Sequence, residues 1–125
     1  AMSNSIPTPT LIRLHQQSRV LEVGFEDGSV FRLPCEYLRV NSPSAEVQGH
    51  GPDQRVTVPG KRQVNIRAIN PVGNYAVLLV FDDGHQTGIY SWDTLYTLGR
   101  EQAQRWAAYL AELDAQGLSR DAPAA

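Results

Sequence analysis

Tyr75-Ala76-Val77-Leu78-Leu79-Val80-Phe81-Asp82-Asp83-Gly84-His85-Gln86-Thr87-Gly88-Ile89-Tyr90-Ser91-Trp92 decides the fold class. Its opening seven residues, Tyr75 to Phe81, form the longest apolar run in the chain. A membrane-spanning helix needs about 20, so this run predicts a strand, and its continuity places that strand centrally, buried on both faces. Asp82-Asp83-Gly84-His85 supplies turn chemistry, and Gln86 to Tyr90 returns as the second arm of a hairpin. Ser91 stands where an N-cap would open a helical segment, Trp92 to Leu98, with Asp93 near the positive end of its dipole. Gly99 then permits a bend.

Working outward, the same grammar occurs earlier. Val20 to Phe25 is strand-like, Glu26-Asp27-Gly28-Ser29 turns, and Val30 to Leu33 returns before the short segment Pro34-Cys35-Glu36-Tyr37-Leu38. Gly28 suits a turn because it accepts a positive φ without a Cβ clash. The echo is a weak internal repeat, since hairpins share such patterns without common descent. Leu11 to Leu14 adds a preceding strand, and the alternating run Val64 to Ile69 leads through Asn70 to Asn74 into the central strand. From Arg100 to Gln116, Ala103, Trp106, Ala107, Leu110 and Leu113 fall on one helical stripe, with Gly117 at the C′ position. Asn41 to Pro59, rich in Ser, Pro, Gly, Gln and Asp, reads as a long irregular connection. The expectation is an α+β domain over residues 10–117. In it, a small antiparallel sheet of hairpins carries short helical segments and a packed C-terminal amphipathic helix. Residues 1–9 and 118–125 are expected to be disordered.

The chain has 125 residues, enough for one domain; 42% are hydrophobic and 19% charged, so it can fill a core. Eleven basic against thirteen acidic residues give a formal charge of −2, which removes the usual electrostatic basis for nucleic-acid binding. A single cysteine, Cys35, excludes an internal disulfide and a zinc site made of several thiolates from one chain. Ala1-Met2-Ser3-Asn4 lacks the basic and apolar regions of a signal peptide, and the alanine ahead of methionine reads as a cloning remnant. The expectation is a cytoplasmic protein with no membrane and no nucleic-acid partner.

Few residues carry chemistry. His85, at a hairpin turn, is a candidate ligand to a metal or partner, although a hydrogen-bonded turn histidine is the plainer reading. His50, three residues from Asp53, sits in a loop. Cys35 at a helix start is a reactive thiolate if its pKa is depressed there and an inert core thiol otherwise. No phosphate-binding glycine loop occurs, and no Ser/His/Asp set follows from order or spacing. Arg55, Lys61, Arg62 and Arg67 form a local positive cluster without interleaved aromatics, so a solvated face is the simpler account. Tyr90, Trp92, Tyr96, Trp106 and Tyr109 are expected in the core.

Glu26-Asp27-Gly28, then Leu33 to Ser44, then Asp82 to Trp92 together resemble the DUF971 family, the gamma-butyrobetaine hydroxylase-like N-terminal domain, over about Thr10 to Arg100. In the hydroxylases this module precedes an iron and 2-oxoglutarate domain and holds structural zinc through three cysteines and a histidine. The resemblance puts the histidine at His85 and the cysteines at Ser42, Ser44 and Val47, which cannot replace thiolates, so neither zinc nor another cofactor is expected. It also implies structural roles for Arg39 and Asn41 in Leu38-Arg39-Val40-Asn41. None of His15, His50 and His85 begins the His-x-Asp/Glu pair of an oxygenase, and the catalytic domain is absent by length. A similar domain is appended to some iron–sulfur carrier proteins. The leading expectation is a non-catalytic module that binds a protein, one that handles iron or iron–sulfur clusters, through Arg39, Asn41, His85 and Trp92. The alternatives are metal or cluster binding by His85 with Cys35 and His50, and a thiol enzyme built on Cys35.

Overall fold

The computed structural model describes residues 7–49 and 55–121. Two antiparallel three-stranded sheets form the frame: β1 (Pro9–His15), β2 (Val20–Phe25) and β3 (Val30–Pro34) in one, β4 (Ile66–Val72), β5 (Ala76–Phe81) and β6 (Ile89–Ser91) in the other. The chain forms a small α+β domain. A helix follows each sheet, α1 (Cys35–Val40) after the first and α3 (Trp92–Arg100) after the second; α2 (Ala45–Gln48) lies between the halves and α4 (Gln102–Ala115) closes the chain. β5 occupies the middle of its sheet, as its apolar continuity predicts, with Ala76, Val77, Leu79 and Phe81 buried. Both sheets, α1 and α3 share one core, which includes Leu21, Val23, Leu33, Tyr37, Leu38, Ile66, Leu79, Phe81, Tyr90 and Leu95.

The two halves match in more than element order. In the first turn Phe25 N–H bonds to Ser29 O at 2.8 Å, Gly28 N–H to Phe25 O at 3.0 Å, and Ser29 N–H to the Asp27 carboxylate at 2.9 Å. In the second, Phe81 N–H bonds to His85 O at 2.9 Å, Gly84 N–H to Phe81 O at 3.2 Å, and His85 N–H to the Asp83 carboxylate at 3.1 Å. Gly28 and Gly84 take φ of 90° and 93°, values that a Cβ resists. The second oxygen of each aspartate is then captured by the helix of the other half. Tyr96 of α3 donates to Asp27 at 2.7 Å, and Arg39 of α1 donates to Asp83 at 2.9 Å. Tyrosines make the same exchange at helix ends, where carbonyls lack helical partners: Tyr37 donates to Leu98 O and Tyr90 to Leu38 O, both at 2.6 Å.

Several details depart from the sequence reading. Ala103, Ala107 and Leu110 of the expected helical stripe are exposed, whereas Tyr109 and Leu113 are buried and Trp106 is half-buried. The packed face of α4 is rotated because it meets Val40 of α1 and Val58 rather than a broad sheet surface. Asn41 to Pro59 is not wholly irregular, since Ser44 caps α2 by accepting from Glu46 N–H. β4 runs on to Val72 and includes Pro71, which an edge strand tolerates because one side of its backbone needs no ladder partner. Gly117 does terminate α4: its N–H bonds to Asp114 O and that of Leu118 to Leu113 O, the paired bonds of a Schellman end. Beyond it, Ser119 and Arg120 accept backbone bonds from Gly60 and Arg62, and Arg120 grips Glu36 with two hydrogen bonds. The packed chain therefore continues to Asp121, past the expected boundary at 117.

Gly99 is fixed by packing, because a Cβ there would lie 2.3 Å from the Phe31 ring. Gly99→Ala should cost about 1–3 kcal/mol by overpacking, measured by denaturant unfolding. The double variant Phe31→Leu/Gly99→Ala should lose less than the sum of the two single changes; additive losses would rule out the ring as the obstacle.

Candidate functional site

His85 follows directly from the β5 turn. The Asp83 side chain takes its backbone N–H, and the imidazole, with its side chain 2% exposed, is turned inward against the connection between α1 and α2. Its Nε2 lies 2.9 Å from Ser42 Oγ and its Nδ1 3.2 Å from Glu46 Oε2. Ionised Glu46 can only accept, so the proton sits on Nδ1, and Nε2 accepts from the Ser42 hydroxyl. Ser42 Oγ in turn accepts from Ser44 N–H at 3.2 Å. Ser44 Oγ accepts from Glu46 N–H and meets Thr87 Oγ1 at 2.7 Å, while Thr87 donates to Glu46 Oε1 at 3.0 Å. The loop of donors and acceptors closes on itself around a neutral imidazole.

Burial first, and then the nearby Arg39 guanidinium, holds the His85 pKa below its ordinary 6.5, although the Glu46 and Asp83 carboxylates oppose both. Asp83 receives Arg39 at 2.9 Å and Lys61 at 2.6 Å. Desolvation alone would raise its pKa, but hydrogen bonds from Lys61, the His85 backbone and Arg39 bring it down to about 2.

Three of the four expected contact residues are drawn into this scaffold. Arg39 is spent largely on Asp83, with one buried nitrogen, Nη1, unpartnered. Asn41 is buried and donates to Tyr37 O, capping α1, and His85 is sealed as above. Trp92 is half-buried at the start of α3, and its indole N–H is held by Asn74 O at 2.9 Å. Ser91 caps α3 through Thr94 N–H, as its position predicts. Glu46 and Thr87 complete the His85 cluster and escaped the sequence reading; a carboxylate two residues after Ser44 was its one visible trace. Three of the four residues of the positive cluster meet distant carboxylates, Arg55 pairing with Glu112, Lys61 with Asp83 and Arg62 with Asp121, while Arg67 is exposed.

Ser42, His85 and Glu46 stand in the order of a hydrolytic relay, and their burial decides against that use. Ser42 is fully buried, its lone pair is taken by Ser44 N–H, and a Cβ on Gly88 would approach its Oγ to 2.5 Å. An acyl carbon has no place to sit. Cys35 is likewise buried, close to Asn65 Oδ1 at 3.7 Å, and desolvation pushes its thiol up to about 11, the wrong direction for a nucleophile. Cys35 and His85 bond to different partners, and His50 lies outside the described residues. Among the described residues no group of three or more His, Cys, Asp or Glu side chains is placed to hold a metal ion.

A family model described as gamma-butyrobetaine hydroxylase-like, N-terminal, matches residues 12–96. The chain belongs to this family. A crystal structure of a DUF971-family protein of unknown function from Acidithiobacillus ferrooxidans is 42% identical. It superimposes with a TM-score of 0.64 over 76% of this chain and 98% of its own. Two solution NMR structures are 45% and 52% identical, each with a TM-score of 0.82. They cover 97% and 99% of this chain and 95% and 92% of theirs. No curated protein matches.

The zinc that the resemblance to the hydroxylases implies does not fit these residues. At the matching positions stand two hydroxyls and the buried aliphatic Val47, and both nitrogens of His85 are already engaged. Chelation with EDTA should therefore leave the thermal unfolding midpoint unchanged; a drop would show a bound structural metal. Because the folded state lowers the His85 pKa, the unfolded chain takes up the proton first. Stability should fall as pH drops below about 6.5. A separate loss should follow below about pH 4 as Asp83 protonates. In thermal melts across this range, His85→Gln should abolish the first slope and keep the second.

Proposed function

We propose that this chain is a non-catalytic docking module for a protein partner. It would engage that partner through the groove between α2, α3 and the middle of α4. The observation that carries this reading is the contrast between sealed reactive groups and an open polar groove. Ser42, His85 and Cys35 are buried and internally satisfied, whereas the groove, a cavity of about 290 Å³, is lined by Asn41, Pro43, Gln48, Asp93, Thr97 and Arg105. A second hollow of about 170 Å³ shares Asn41 and Arg105 and extends it to Ala108 and Arg55. Two carboxamides, the Thr94 and Thr97 hydroxyls and one charge of each sign, with Asn41, Gln48 and Arg105 steadied by internal bonds, suit the alternating donors and acceptors of an extended peptide better than the apolar face of a helix. The family resemblance makes an iron- or iron–sulfur-handling protein the first partner class to test. No described helix is long and apolar enough to cross a membrane.

Affinity capture with three baits tests the groove: wild type, the groove variant Arg105→Glu/Ala108→Trp, and a control, Arg13→Glu, on the exposed β1 face. Ala108 and Arg13 are exposed, so the fold should survive, and circular dichroism checks it. Wild type and control should retain the same proteins, with recovery falling about tenfold or more in the groove variant. Equal recovery from all three baits, an empty set included, overturns the reading.

A further inference from the structure

A second cavity, on the other side of the α3–α4 junction, has a different character. It encloses about 500 Å³ and is lined by Pro34, Tyr37, Gly99, Arg100, Gln102 and Trp106, with Ala103 at its edge. That volume lies within the range of small-molecule sites, about 300–1,000 Å³, and aromatic linings with a few polar groups are their usual composition. We propose that this cavity binds a small aromatic carboxylate.

Both aromatic side chains are held in place before any ligand arrives. Tyr37 and Trp106 meet edge to face, 6.4 Å between centroids at 72°. The Tyr37 hydroxyl is spent on Leu98 O and the residue is buried, so it serves as a fixed floor beneath Trp106. Trp106 is braced by the Arg120 guanidinium, 5.0 Å from its ring, and by Tyr109 at 5.2 Å. Arg120 is in turn fixed by Glu36. Gly99, held against Phe31 on its other side, contributes backbone to the same lining.

The charge preference comes from Arg100. Among the described residues it forms no ion pair, and its guanidinium rests 5.8 Å from the Tyr96 ring. The neighbouring carboxylate, Glu101, is engaged by Arg105 at 2.8 Å instead. Arg100 lines the cavity, and an exposed guanidinium without an ion pair matches the planar two-oxygen geometry of a carboxylate. The Gln102 carboxamide offers a further donor on the same lining. Contact with the half-buried Trp106 ring would hold the ring of such a ligand over a floor that includes buried Tyr37, and Arg100 would hold its head.

The probe pair is 2-naphthoate and its neutral isostere 2-naphthamide, titrated into the full chain and followed by amide shift perturbation. Saturable binding of 2-naphthoate at about millimolar concentration should map to Tyr37, Arg100 and Trp106, with the amide about tenfold weaker. Arg100→Gln should bring the two affinities together. Ala103→Trp, an exposed position at the edge of the cavity, should abolish both. Equal binding of acid and amide by the wild type, a preference that survives Arg100→Gln, binding untouched by Ala103→Trp, or no saturation at all would each overturn the assignment.

Discussion

Each turn aspartate of this domain is held by the helix of the opposite half, and the rest of the structure depends on that exchange. A unit of one three-stranded sheet and one short helix, below about 40 residues, is too small to stand alone unaided. Here two such units share one core, with Tyr96 on Asp27 and Arg39 on Asp83 fixing how they meet. The close approaches are exchanged as well. Gly99 of α3 abuts Phe31 of the first half, and Gly88 of the second abuts Ser42 of the first. These contacts set the two units at a distance that any added Cβ would disturb. A weak echo in the sequence thus corresponds to a repeated architecture, which still does not demonstrate duplication of a gene, since hairpin geometry constrains turns independently of ancestry.

Differences between the halves locate the polar centre. The first turn ends on Ser29, which is half-buried; the second ends on His85, which is buried. The first half exchanges a neutral tyrosine for its aspartate bond, the second an arginine supplemented by Lys61. The second half therefore carries a concentration of charge that a neutral hydrogen-bond cluster must sit beside. Arg39 contributes to both sides of this arrangement: behind Lys61 and the His85 backbone it lowers the pKa of Asp83, and behind burial its charge discourages protonation of His85.

The sequence made the strands and their turns legible because they rest on local chemistry: Asp-Gly turns, a continuous apolar run for β5, Ser91 before α3 and Gly117 after α4. What it did not reveal depends on long-range packing. The face of α4 is chosen by Val40 and Val58, so Tyr109 is buried while Leu110, equally apolar, is left exposed. Glu46 and Thr87 join His85 only when α2 and the β5–β6 connection are brought together, across 39 and 41 residues of chain for Glu46. Arg39 and Asn41 stood out as a motif, but a motif alone cannot tell an outward contact from an inward clamp. Their partners, Asp83 and Tyr37 O, decide for the clamp.

A metal clamp and a hydrogen-bonded clamp solve the same structural problem with different consequences. Thiolates around an ion tie segments together strongly but make the fold answer to metal supply and redox state. The cluster of Ser42, Ser44, Glu46, His85 and Thr87 ties the same two segments through neutral or singly charged groups, and it answers to protons instead. Protonating His85 would place a second N–H against Ser42, whose oxygen would have to turn and leave its own hydrogen without the Nε2 acceptor. The cluster borders the α1–α2 connection that also shapes the groove beside Asn41 and Gln48, so a reversal there strains that connection first. The backbone from Ser42 to Gln48, where Gln48 itself donates to Ser42 O at 2.8 Å, joins the His85 cluster to the wall of that groove.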